Sequence, residues 1–221
     1  MNVRNLITFL TLLFLPAVAF AFGNDAAVKA QAELISAIQK LIYIVSFLIG
    51  LILLVSGGYK IKAMSDNNEK TKIFSAPIMA ILVGVIMMNS SNSLSVFGAT
   101  LFSAEKFCLV VDDGRINDSC MSTELSGLTG ELKSRIEKLS SGNTAEIFMD
   151  KIQIIIGIFQ IIGLIYFLVG AYGLVQVANG SSKESGYGKP IITMFASALI
   201  VDIPHTAQMA INTLHDIGIN F

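Results

Sequence analysis

One apolar stretch and its echo constrain this chain more than anything else in it. The stretch is Ile42 to Tyr59, IYIVSFLIGLILLVSGGY; the echo is Ile155 to Tyr172, IIGIFQIIGLIYFLVGAY. A gapless shift of 113 positions carries Gly50-Leu51-Ile52 onto Gly163-Leu164-Ile165, Gly57 onto Gly170 and Tyr59 onto Tyr172. Past a short polar loop, the same shift lays Pro77-Ile78 on Pro190-Ile191. Self-similarity at a fixed offset marks a repeated unit. The unit reads as apolar helix, polar turn, Pro-started apolar helix, and the chain holds it twice.

Each long run approaches the ~20 residues that cross a hydrocarbon core. Lipid offers bare peptide groups no partner, so such a run must be helical. Composition points the same way: 53% of residues are apolar and 14% charged, against about a quarter charged in ordinary globular chains. A formal net charge of −1 leaves no basic footprint for nucleic acid. The expected fold is an all-α membrane protein of two tandem transmembrane hairpins, residues 41–102 and 152–221, with four spans.

Ahead of the first hairpin, Arg4, the apolar Leu6 to Val18 and Ala19-Phe20-Ala21 read as a signal peptide, residues 1–21, cleaved after Ala21. The alternative is an uncleaved first helix. Residues 22–40 place Leu34, Ile35 and Ile38 among Glu33, Gln39 and Lys40, an amphipathic helix for the outer membrane face. The turn Lys60 to Ala76 carries four lysines against one Asp and one Glu. Short basic loops stay in the cytoplasm, so both termini and residues 103–151 are expected outside it.

Small residues dot the long arms. Gly50, Gly57 and Gly58 in the first, and Gly163, Gly170 and Gly173 in the second, are candidate sites of close helix packing. Pro77 and Pro190 suit the first turn of the arms they open. The first of these arms is interrupted by Asn89-Ser90-Ser91-Asn92-Ser93. Either the span is short and this patch lies at the outer surface, or the helix continues and the patch faces protein or water. The apolar run that resumes through Phe102 favours continuation. Asp202-Ile203-Pro204-His205 falls at the matching place in the second hairpin. Ionisable residues within a span are functional candidates, unless Pro204 ends the span and leaves them at the interface. Asn89, Asn92, Asp202 and His205 are thus the candidate intramembrane polar residues.

In the exported loop, Cys108 and Cys120 bracket LVVDDGRINDS, and an oxidising compartment would join them in a disulfide. Asp112-Asp113-Gly114 is a turn signal, expected to be a solvated, stapled turn. Leu128, Leu132, Ile136 and Leu139 make one face of an amphipathic helix, and Thr144 opens the next. No nucleophile–base pair, phosphate loop or ligand cluster appears, so neither enzyme activity, metal nor cofactor is expected.

A signal peptide, a helix–basic turn–helix hairpin and a Pro-started second arm resemble the pilin-like small membrane subunits of type IV secretion systems. The tandem layout around an exported loop, with the anchors Gly50/Gly163, Gly57/Gly170 and Pro77/Pro190, resembles the IcmC/DotE family of type IVB (Dot/Icm) secretion and its TraQ-like conjugation relatives. That resemblance implies a bacterial inner-membrane subunit in a homo- or hetero-oligomer. Its partners would be lipid and other membrane and periplasmic subunits, with no direct nucleic-acid contact. The competing expectation is a small-molecule or ion transporter with Asp202 and His205 in the path.

Overall fold

A computed structural model describes residues 25–66, 75–102, 109–116, 138, 142–181 and 186–218. Helix α1 is Asp25–Asp66, α2 Ser75–Met88 and α3 Ser90–Phe102. A two-residue strand pair follows, β1 Val111–Asp112 and β2 Arg115–Ile116. Helices α4 Gly142–Ala178, α5 Gly188–Val201 and α6 Ile203–Asp216 complete the chain. The signal peptide, Cys108, Cys120 and the helix expected over Leu125–Leu139 lie outside the described residues, apart from Lys138.

Two helices, α1 and α4, are long and apolar enough to cross a membrane; the number rises to four if α2 with α3, and α5 with α6, each count as one span. Those two pairs are not straight. They bend by 94° and 95°. This corrects the expectation that the first of them runs on as one helix through its Ser/Asn patch. The amphipathic segment expected as a separate helix before Leu41 is also different: α1 is continuous over 42 residues. From Asp25 to Ile49 there is neither Gly nor Pro, so nothing locally stops the helix.

The chain divides into two compact units: residues up to Ala37 with Leu109–Ile158, and Ile38–Cys108 with Phe159–Phe221. In the first unit β1 and β2 pair antiparallel, Val111 with Ile116 and Asp112 with Arg115. Asp113 and Gly114 join them with φ of 47° and 74°, the positive pair that a type I′ turn requires. The turn is where its sequence signal placed it, but it is not simply solvated. Val110 and Val111 are fully buried. Gly157 makes room for them: a Cβ there would meet Val111 Cγ2 at 3.1 Å and Ile35 Cδ1 at 3.3 Å.

The second unit holds the larger core, built from Ala80, Val83 and Met87 of α2, Leu94 of α3, Leu164, Phe167, Ala171 and Val175 of α4, and Met194 and Val201 of α5. Phe97 sets its ring edge-on to Phe167, centroids 5.2 Å apart. Helix α4 is the central element: 56% of its most apolar stretch is buried, against 17% for α1. Large apolar side chains such as Ile52, Val55 and Leu48 are left exposed on α1. A protein surrounded by water rarely exposes so continuous an apolar surface.

Candidate functional site

The bends sit at Asn89 and Asp202, which are 113 positions apart. The sequence repeat is therefore a structural repeat, and its atoms can be compared pair by pair. In the long arms, a Cβ on Gly50 would lie 2.6 Å from the Gly84 carbonyl and 2.7 Å from the Met88 nitrogen. On Gly163 it would lie 3.0 Å from the Ser197 carbonyl and the Val201 nitrogen, the same partners shifted by 113. Gly57 meets the Pro77 carbonyl at 2.9 Å, and Gly170 meets the Pro190 carbonyl at 3.1 Å. At all four positions backbone meets backbone, and a side chain would force the helices apart. Gly173 touches only the Pro190 ring, at 3.3 Å, and Gly58 has nothing within 4 Å.

Breaking a helix orphans the carbonyls of its last turn. In an apolar setting each needs another donor, and the two hairpins supply donors in parallel ways. Ser93 Oγ donates to the Ile86 carbonyl at 3.2 Å; its repeat mate Thr206 Oγ1 donates to the Leu199 carbonyl at 2.7 Å. Ser46 Oγ reaches across from α1 to the Met87 carbonyl at 2.7 Å, and Gln160 Nε2 reaches from α4 to the Val201 carbonyl at 2.8 Å. The backbone nitrogens of Asn89 and Asp202 close the preceding turns on Val85 and Ala198.

Local sequence accounts for the breaks. Pro204 has no N–H to give the Ile200 carbonyl, and its ring opposes helix continuation; it takes a place in the first turn of α6. In the first hairpin a run of Asn and Ser side chains competes with the helix for backbone groups.

Of the candidate polar residues, Asn89 and Asn92 are exposed. Asp202 is fully buried, and its Oδ1 lies 2.8 Å from His205 Nδ1. The Phe102 ring stacks on the imidazole with centroids 5.9 Å apart. The structure thus brings Asp202 and His205 together beneath an aromatic lid and leaves the two asparagines open. Sequence reasoning missed Ser46 and Gln160, whose signal was a lone polar residue inside an apolar run. Among the described residues no three His, Cys, Asp or Glu side chains gather as metal ligands.

Comparison with known proteins finds no matching family model, no matching curated protein and no matching solved structure.

Proposed function

We propose that this chain is a structural, channel-associated subunit of the bacterial inner membrane, acting by assembly rather than catalysis in a type IVB (Dot/Icm-like) secretion or conjugation apparatus, as the IcmC/DotE resemblance implies. In this reading the loop and both termini lie in the periplasm, and the loop carries the Cys108–Cys120 disulfide. The observation that supports it most is the twice-built hairpin: two glycine seams with identical contacts make a rigid scaffold, while α1 keeps most of its apolar surface for neighbours. The experiment is a mild-detergent pull-down of the tagged native protein, with mass spectrometry of what accompanies it. Co-purification of secretion or conjugation subunits is the expected result; recovery of this protein without any of them would remove the apparatus reading.

One observation favours a second reading, a small-molecule or ion transporter: the buried contact between Asp202 and His205 at a helix break. Ionisable pairs at broken helices are where transporters hold their cargo. That reading expects flux in liposomes holding this protein alone, and its loss in Asp202→Asn.

A further inference from the structure

We infer that copies of this chain join head to tail, the first hairpin of one copy receiving the second hairpin of the next, in the packing the two hairpins already use within one molecule. The repeat supplies the template. Within the molecule, Ile161, Leu164, Phe167 and Ala171 form a buried face of α4. The core that covers this face includes Ala80, Val83 and Met87 of α2. Shifting back by 113, the face becomes Leu48, Leu51, Leu54 and Gly58 of α1. There Leu48 and Leu51 are 52% and 40% exposed, and Gly58 has open space where Ala171 is fully buried.

The covering face has an open counterpart too. Ala80, Val83 and Met87 shift onto Thr193, Ala196 and Ile200 of α5. Ala196 and Ile200 are exposed and Thr193 is half-buried. The Thr193 hydroxyl is already spent on the Lys189 carbonyl at 2.9 Å, so it brings no unmet polar group to a contact. One molecule therefore uses one socket and one plug internally and leaves the other socket and the other plug open. The one departure lies near the polar turn, where buried Val175 corresponds to exposed Lys62, so the contact between copies ends a turn short there.

A second copy fits these faces better than lipid does. A glycine on a lipid-facing surface contributes no packing, whereas small residues allow helices to approach closely where no water is available to drive them together. The two open faces are different surfaces, so the contact is heterologous and extends into a ring or a filament. This deepens the assembly reading above by naming a partner, and it rests on that reading only in being an assembly; other subunits co-purifying with a monomeric copy would keep that reading and remove this one.

The test uses full-length protein in lipid nanodiscs and in mild detergent, with native mass spectrometry. The wild type is expected as oligomers. Gly58→Trp closes the socket and Ala196→Trp caps the plug. Each alone is expected to be monomeric with an unchanged melting temperature, because both positions are open within one molecule. Mixed in equal amounts, the two variants should form a heterodimer that grows no further, since each keeps the face the other lacks. A monomeric wild type, oligomers unaffected by either change, or a mixture that stays monomeric would each overturn the proposal. Should tryptophan lower the melting temperature, Gly58→Leu and Ala196→Leu carry the same test.

Discussion

At Asn89 and at Asp202 the backbone turns by nearly the same angle, after 14-residue helices that contact their long partners through matching glycines. The side chains at the two turns differ. The first break carries Asn89 and Asn92, both exposed. Under the repeat shift these become Asp202 and His205, paired at 2.8 Å with the aspartate fully buried. Bend and pair are thus separable. Carbonyl capping by Ser93 and Ser46 suffices for the first bend without any ionisable group, so the Asp–His contact is an addition to the second break rather than a condition for it.

Glycine substitutions should show the largest effects, because they test what the two hairpins share. Gly50→Leu and Gly163→Leu set a side chain where backbone atoms lie within about 3 Å. Overpacking of this kind costs on the order of 3 kcal/mol, and thermal unfolding in detergent should show both proteins melting far below the wild type. Gly58→Leu, one residue from a seam glycine, should leave the melting temperature where it was. Equal damage at Gly57 and Gly58 would mean that the seam does not exist as described.

The next effect in size separates the breaks. His205→Ala takes away the imidazole beside a buried carboxylate, and breaking such a pair costs up to about 3 kcal/mol. Asn92→Ala, the matching change at the exposed break, should stay within about 0.5 kcal/mol. Writing the first break into the second, with Asp202→Asn and His205→Asn together, should recover most of the loss, since removing a whole pair is much less damaging than removing half of it. If the double variant melts as low as His205→Ala, the pair is a condition for the bend after all.

Smaller still are the cross-helix caps. Gln160→Leu and Ser46→Ala each remove one donor to a last-turn carbonyl. Polar contacts between helices in an apolar medium are worth about 1 kcal/mol, so each variant should melt a few degrees lower and by similar amounts. A large effect for one alone would show that the two breaks are not capped equivalently.

The repeat could be read in the chain because its anchors are residue types with few substitutes: Gly50, Gly57 and Pro77 have mates at the same offset, and the structure puts each against the same partner atoms. The bend could not be read. Helical periodicity reports which face of a helix is apolar, and it is blind to a change of axis direction between two helical pieces. The polar patch after Met88 therefore allowed two readings, and the structure matches neither, since the helix stops at Asn89 and restarts at Ser90. Gly58 shows the same limit: composition marks a small residue, but which side of α1 has a neighbour is decided by tertiary packing. The join between the amphipathic stretch before Leu41 and the apolar run after it was hidden because both share one period.

The short arms also constrain how the chain is made. Helices α2 and α5, with 14 residues each, are about 21 Å long at 1.5 Å per residue, well under the ~30 Å of a hydrocarbon core. Neither would be held in a bilayer as an independently inserted segment. Each depends on the long helix made just before it, against which its backbone is seated through glycine. The unit of biogenesis is then the hairpin, and the second arm enters only once the turn that precedes it has been synthesised.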